Sequence, residues 1–360
     1  MTRPIWREQL DELQPYQPGK RASDFKAELG LAEAIKLSSN ETPFHPTHLA
    51  IEAMRAVASR VNRYPDGSTR TLRRGLGEFL SVKPENIMVG NGSNELIRIL
   101  AQMVLEPGDE VLMGKPSFVV YPMVTQMFGG TAVQVPVDDG WSLDLGAMAS
   151  SITRRTKIVF LANPNNPTGT IYGRAAFESF LESAREVPLL VVDEAYFEFV
   201  DEPDYPNALD YFSEEGNLVV LRTFSKVYGL AGLRVGYGVA PRQVVIGVDK
   251  IREPFNVNTM AQIAAYASLK AKEEIATRHH LNLEARRHVL AVLDEVGLEY
   301  ASSQANFVWV KVPDGPKAFN DLLMKGIIVR QFGELPFVRI TFGTERENRK
   351  LAAALRSAFR

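Results

Sequence analysis

Between about residue 48 and about residue 250, short apolar runs alternate with longer amphipathic stretches. Seven runs stand out: Ile87–Val89, Glu110–Met113, Ala132–Val135, Lys157–Leu161, Leu189–Val192, Leu218–Leu221 and Val235–Val239. Runs this short and this continuously apolar suit strands buried on both faces. The stretches between them suit helices that cover a mostly parallel sheet. The pattern predicts an α/β fold in which a mostly parallel, seven-stranded sheet is sandwiched by helices. In such a sheet the ligand site lies beyond the carboxyl ends of the strands.

Past about residue 250 the pattern changes. Residues 258–296 read as one long helix, broken at Gly297. Strand-like runs follow at Phe307–Val310, Gly326–Val329 and Phe337–Phe342, with an amphipathic helix from about Glu345. This grouping predicts a second, smaller α+β domain. At the other end, Pro15, Pro18 and Gly19 break any long helix, so residues 1 to about 37 read as an arm followed by a loop. The expected division is an arm over 1–37 that packs with the small domain, a large domain over 38–257, and a small domain over 258–360.

Composition narrows the function without naming it. Apolar residues make up 45% of the 360 and charged residues 23%, an ordinary globular balance. The net charge of −2 gives no general attraction to nucleic acid or to an anionic membrane. The chain has no cysteine, which excludes disulfides, thiolate nucleophiles and cysteine-based metal sites. His45, His48, His279, His280 and His288 show no metal-ligand spacing with carboxylates, so no metal is expected. The first twenty residues do not read as a secretory leader, and no apolar run approaches the ~20 residues of a membrane helix. The expected location is cytoplasmic.

Chemistry gathers at four strand ends. Val89 runs into Gly90-Asn91-Gly92-Ser93-Asn94-Glu95, where glycines let backbone N–H groups approach an anion at a helix N-terminus. Taken alone this reads more readily as a plain glycine-rich turn with a capping Ser or Asn, and it matches neither the Walker pattern nor the full dinucleotide fingerprint. Leu161 leads into Asn163-Pro164-Asn165-Asn166-Pro167-Thr168-Gly169, whose two Asn-Pro steps force extended backbone and a rigid loop. Val192 is followed by Asp193-Glu194-Ala195-Tyr196. A carboxylate directly after four aliphatics is expensive to bury without a cationic partner; otherwise it is a surface acid or a cap. Leu221 leads to Arg222-Thr223-Phe224-Ser225-Lys226 and on to Arg234, a segment of hydroxyls, an amine and guanidinium groups. A cofactor with a phosphate, a ring nitrogen and an aldehyde would use all of these groups.

These residues carry a resemblance over nearly the whole chain. It rests on Pro15-Tyr16-Gln17-Pro18-Gly19, Leu37-Ser38-Ser39-Asn40-Glu41, Arg63-Tyr64-Pro65-Asp66, Gly92-Ser93, the Asn166 to Gly169 loop, Asp193 to Tyr196, Ser225 to Arg234, Pro254-Phe255-Asn256-Val257-Asn258 and Val338-Arg339-Ile340. The chain resembles the fold-type I pyridoxal-phosphate aminotransferases and, among them, the histidinol-phosphate aminotransferase family.

The resemblance implies that Lys226 carries pyridoxal 5'-phosphate as a Schiff base and shuttles the substrate proton. It implies that Asp193 pairs with the ring nitrogen, that Tyr196 and Asn166 bond the ring 3' oxygen, and that Phe118 stacks on the ring. Relatives often have tyrosine at that position, and Phe118 supplies the face without the hydroxyl. Gly92, Ser93, Thr223, Ser225 and Arg234 are expected on the cofactor phosphate, joined by Tyr64 from a second subunit, which makes a homodimer with shared sites. Arg339, helped by Arg330, Tyr16 and Asn40, is expected to receive the acidic end of the substrate. The implied reaction is a ping-pong exchange between histidinol phosphate and 2-oxoglutarate, which yields glutamate. Alternatives on the same fold are an aromatic amino acid aminotransferase and a phospho-amino-acid decarboxylase. A cofactor-sensing regulator is disfavoured, because the chain has no spare length for a DNA-binding domain and no basic patch.

Overall fold

The computed structural model describes residues 5–11, 13–15, 22–30 and 33–359. In chain order the strands are β1 (Ile35–Lys36), β2 (Ile87–Gly90), β3 (Glu110–Lys115), β4 (Thr131–Pro136), β5 (Thr156–Ala162), β6 (Leu189–Asp193), β7 (Leu218–Thr223), β8 (Gly236–Val239), β9 (Phe307–Lys311), β10 (Ile327–Ile328), β11 (Arg330–Gln331) and β12 (Phe337–Thr341). The α-helices are α1 (Ala22–Leu29), α2 (His48–Val57), α3 (Arg70–Leu80), α4 (Ser93–Val104), α5 (Val120–Met127), α6 (Leu145–Ser150), α7 (Arg174–Ser183), α8 (Arg242–Ile251), α9 (Thr259–Ser268), α10 (Lys272–Glu295), α11 (Gly315–Leu323) and α12 (Glu345–Phe359).

The seven apolar runs form one sheet in the order β2-β8-β7-β6-β5-β3-β4. All neighbours are parallel except β8, which runs antiparallel to both β2 and β7. Successive side chains of a strand face opposite sides. Thus Val111, Met113, Ile158, Phe160 and Val191 pack with α4, α5 and α8, while Leu112, Val159, Leu190 and Val192 pack with α6 and α7. A third cluster joins Ile87, Val89, Phe224 and Tyr237 to residues of α2, α3 and α9. Each fully buried aliphatic contributes about 1.5–3 kcal/mol. The helix caps, such as Thr47 on Ala50 N–H and Asn258 on Ala261 N–H, contribute about 1 kcal/mol each. Packing therefore dominates, and the caps fix where the helices begin.

The C-terminal part has its own core, in which a β11-β12-β9 antiparallel sheet packs with α10, α11 and α12. Ile35 and Leu37 belong to this core, because β1 pairs in parallel with β10.

Three expectations need correction. Residues 258–296 are two helices, not one. α9 buries Ala261, Ala264, Ala265 and Ser268 alongside α2 and α3, whereas α10 buries Val289, Val292 and Leu293 in the C-terminal core. The chain has to turn between two cores, and no glycine or proline marks the turn. The predicted stop at Gly297 is correct: its φ is +69°, and Leu298 N–H closes on Leu293 O at 3.0 Å, a left-handed C-terminal cap. Residues beyond Gly19 are not simply a loop, since they include α1 and β1. The run Gly326–Val329 divides its pairing: Ile327 and Ile328 join β1, and the chain then crosses to pair as β11 with β12. Among the described residues no helix is long and apolar enough to cross a membrane.

Candidate active site

The parallel strands β5, β6 and β7 end side by side, and beyond their carboxyl ends lies a cavity of about 830 Å³. Lys226, three residues past β7, and Asp193, the last residue of β6, both line it. Burial lowers the Lys226 amine to about 8. The charges of Arg339 and Arg234 act in the same direction, and those of Glu41 and Asp193 oppose them. Burial pushes the Asp193 carboxyl up to about 6, against hydrogen bonds from Tyr121 and from Ala195 N–H and against the charge of Lys226. The Lys226 Nζ stands 5.5 Å from the centre of the Tyr196 ring. A buried amine that loses its proton near neutrality is a usable nucleophile, and a buried carboxylate is a partner for a cationic ring atom.

One end of the cavity is built for an anion. Ser93 opens α4, with Gly92 as its cap at φ +78°. A Cβ at Gly92 would lie 2.5 Å from Arg234 Nη2, and one at Gly236 would lie 2.4 Å from Ser93 N. Glycine at both positions therefore lets the guanidinium and strand β8 close onto the helix N-terminus. The Ser225 hydroxyl accepts from Arg234 Nη1 at 3.4 Å, and Thr223 Oγ1 accepts from Ser225 N–H at 3.1 Å. A helix N-terminus, two hydroxyls and a guanidinium form a donor set suited to a phosphate.

The opposite wall comes from the C-terminal sheet, where Arg330 and Arg339 are register partners across β11 and β12. Like charges directly opposite each other destabilise a strand pair, and an anion between them relieves this. Arg339 donates to Asn166 Oδ1 at 2.5 Å and to Ser38 O at 2.8 Å, and it lies over the Phe307 ring. Asn40, buried and left-handed at φ +54°, donates through Nδ2 to the Tyr196 hydroxyl at 2.9 Å. Phe118 lines the cavity and meets Tyr121 edge-on.

The sequence of the whole chain fits the same picture. The class I and II aminotransferase family matches residues 32–355. The chain belongs to this family. It is 43% identical to the histidinol-phosphate aminotransferase of Moorella thermoacetica over 99% of its own length and 93% of that protein's. It is 42% identical to that of Akkermansia muciniphila, with 96% of each chain covered. Its fold is similar to that of the histidinol-phosphate aminotransferase of Sinorhizobium meliloti in complex with pyridoxal-5'-phosphate, with TM-score 0.90, 27% identity, and 99% and 98% of the two chains covered. The aspartate aminotransferase of Thermus thermophilus, solved with maleate, matches with TM-score 0.85 at 25% identity over 98% of each chain.

In this aminotransferase the cavity brings together Asn40, Ser93, Phe118, Asn166, Asp193, Tyr196, Thr223, Ser225, Lys226, Arg234, Arg330 and Arg339. Gly92 stands behind Ser93 as the cap. Tyr64 is not among them: its ring lies on the surface, 82% exposed, stacked on Phe255 at 4.6 Å. Tyr16 lies outside the described residues. Asn166, expected on a ring oxygen, lines the cavity with its side-chain oxygen accepting from Arg339, which bears on its acceptor and not on its amide N–H groups.

Sequence reasoning missed two features. Tyr121, fully buried, donates its hydroxyl to Asp193 Oδ2 at 2.9 Å, and burial followed by the Asp193 charge keeps that hydroxyl protonated. Its signal was its position three residues after Phe118, at the start of α5, where its N–H closes on Phe118 O at 3.1 Å. The second feature lies behind the site. Glu194 accepts from Arg222 Nε at 2.9 Å and from Nη2 at 2.7 Å, from Tyr205 Oη at 3.1 Å and from Ala208 N–H at 2.9 Å. Burial works against the Arg222 charge, but Glu194 and Glu198 outweigh it and hold the guanidinium above its ordinary range. Burial pushes the Glu198 carboxyl up to about 7, so near neutrality the cluster carries little excess negative charge.

Proposed function

We propose that this chain is a pyridoxal-phosphate-dependent aminotransferase that exchanges the amino group of histidinol phosphate with 2-oxoglutarate, in a ping-pong cycle that yields glutamate. The observation that carries the cofactor reading is the opposition, in one cavity, of a buried amine with depressed pKa and a buried carboxylate, beside a phosphate-type cradle. The 43% identity to a histidinol-phosphate aminotransferase over nearly the full length supports the substrate.

When bound, pyridoxal phosphate supplies an aldehyde that captures amines and a ring that withdraws electrons from the substrate carbon. Lys226 would hold the cofactor through its amine and would move the proton at the substrate carbon. Asp193, its carboxylate fixed by Tyr121, would keep the ring nitrogen protonated. Tyr196, held by Asn40, and Asn166 would donate to the ring's hydroxyl oxygen, and Phe118 would pack against the ring. Ser93 N–H, Thr223, Ser225 and Arg234 hold the phosphate. Arg339 and Arg330 receive the anionic end of either substrate, the phosphate of one and a carboxylate of the other.

Tyr64 belongs to the neighbouring site of a homodimer. An exposed, stacked aromatic outside its own cavity suits burial by a second copy. Mixing Tyr64→Ala and Lys226→Ala chains should restore activity, because a mixed dimer then holds one site with both side chains intact. Mixtures no more active than either variant would refute the shared site.

The test of the reaction is direct. Purified protein should form glutamate from histidinol phosphate and 2-oxoglutarate, and borohydride should fix the cofactor on Lys226, read by mass spectrometry of the labelled peptide. A higher kcat/KM for phenylalanine than for histidinol phosphate would overturn the substrate, and an adduct elsewhere would overturn the site.

A further inference from the structure

The last ladder bond between β6 and β7 is Glu194 N–H to Leu221 O at 2.8 Å. Beyond it the two backbones part. β7 continues for two more residues, paired only with β8 through Arg222↔Tyr237 and Thr223↔Gly236. The chain leaving β6 becomes the loop that carries Ala195 and Tyr196. The groups proposed to serve the cofactor are divided between these diverging segments: Asp193 and Tyr196 on one, Thr223, Ser225 and Lys226 on the other.

Arg222 spans the gap. Its Nε and Nη2 both donate to one oxygen, Oε2, of Glu194, the first residue past β6, at 2.9 and 2.7 Å, while Tyr205 and Ala208 hold the other oxygen. The guanidinium also donates to Asn207 Oδ1 at 2.7 Å, and its Cζ lies 3.6 Å above the centre of the Phe197 ring. Both contacts are on the departing loop. Because side chains alternate along a strand, Arg222 and Glu194 occupy the side opposite Thr223 and Asp193, which face the cavity. The pair is buried, with side-chain exposures of 6% and 0%. Well-packed apolar residues often replace buried ion pairs without loss of stability, so stability alone is a weak reason for one here. Two N–H donors of one planar group that converge on a carboxylate oxygen, with the other oxygen also bonded, fix distance and direction in a way an apolar contact does not.

We propose that Arg222 and Glu194 form a positioning pair that holds the ring acid Asp193 and Tyr196 at a set distance from Lys226 and the phosphate hydroxyls, in place of the strand pairing that ends there. This rests on the cofactor reading given above. The pair touches neither cofactor nor substrate and acts through the backbone on either side of it.

Glu194→Gln keeps the shape and the bonds from Tyr205 and Ala208 but removes the charge; Arg222→Lys keeps the charge but removes the planar pair of N–H donors; Arg222→Met removes both. Each variant would be compared with wild type for its pyridoxal phosphate dissociation constant, the pH midpoint of the bound cofactor's visible band, kcat and KM, and the melting temperature without cofactor. For Glu194→Gln we expect cofactor binding at least tenfold weaker, a displaced pH midpoint, and kcat reduced at least tenfold with KM for glutamate within about twofold. Arg222→Lys should restore less than half of the wild-type kcat. A melting temperature that falls while dissociation constant, midpoint and kcat stay at wild-type values would make the pair purely structural and overturn the proposal. If Arg222→Met does not fold, the isosteric Glu194→Gln decides. Failure of the wild-type protein to bind the cofactor would instead sink the reading on which this proposal rests.

Discussion

Tyr121 gives Asp193 a hydrogen bond of 2.9 Å from a position with no exposure, and its ring is stacked on Phe160 at 4.5 Å with 3° between the planes. The ring is thus fixed by packing, independently of the hydroxyl. Tyr121→Phe should keep the packing and remove only the donor. Hydrogen bonds to charged groups contribute about 1.5–3 kcal/mol, so cofactor affinity should fall roughly tenfold to a hundredfold. The Asp193 carboxyl should rise further above its present value of about 6, because the largest effect that holds it down is this bond. Titrating apo protein with pyridoxal phosphate measures the first effect. An unchanged dissociation constant would show that Tyr121 fills space and does no more.

Gly92 is constrained twice, by its φ of +78° and by Arg234 Nη2 at 2.5 Å from where a Cβ would stand. Gly92→Ala should therefore push the guanidinium away from the Ser93 N–H. The loss should fall on phosphate recognition: affinity for pyridoxal phosphate should drop more than tenfold, while that for pyridoxal, which lacks the phosphate, should change little. Comparing the two ligands on one variant is the measurement. An equal loss for both would mean that the substitution damages the fold and not the cradle.

The division between what could be read from the sequence and what could not follows from range. The central strands were legible because they are short, nearly continuous apolar runs such as Leu189–Val192, buried on both faces, whereas the edge strand β4 is largely exposed and carries Gln134. Asp193 and Lys226 each read alone as an ordinary charge, and only the company of polar groups at the other strand ends, with the family resemblance, singled them out. Tyr121 was not legible, since an aromatic near a helix start reads as core until the fold turns its hydroxyl toward β6. Glu194 and Arg222 are 28 residues apart and each looks like an ordinary charge beside a strand. Only the register of β6 on β7 makes them partners. The turn between α9 and α10 was hidden for a related reason, because two cores, and no local residue, demand it.

Arg339 joins the C-terminal sheet to the loop after β5 through Asn166 and to the segment after β1 through Ser38. Arg339→Lys keeps the charge and loses the fork that meets a carboxylate or phosphate on two oxygens. KM for both glutamate and histidinol phosphate should rise about tenfold or more, with less change in kcat. Asn166→Ala removes the acceptor that aims the guanidinium and should reproduce part of the same KM increase. Steady-state kinetics with both substrates tests this. A variant that raises KM for only one of them would mean that the two anions do not share Arg339.

The Lys226 amine should make cofactor uptake depend on pH in a defined direction. Burial, with help from Arg339 and Arg234, lowers its pKa from 10.5 to about 8. Only the neutral amine attacks an aldehyde, so the reactive fraction grows as pH rises toward about 8 and saturates above it. The rate of covalent uptake by the apo protein should climb roughly tenfold per unit below pH 7 and flatten above about pH 9. Removing the Arg339 charge with Arg339→Met should let the lysine pKa rise, because a neighbouring cation that disfavours the ammonium has gone. The midpoint of the uptake profile should therefore move to higher pH, and uptake at pH 7 should slow. Stopped-flow absorbance across pH 6 to 10 reads both profiles. A wild-type midpoint near 10.5 would mean that the amine is not desolvated in the apo protein, and a midpoint unmoved in Arg339→Met would remove Arg339 from the electrostatics of Lys226.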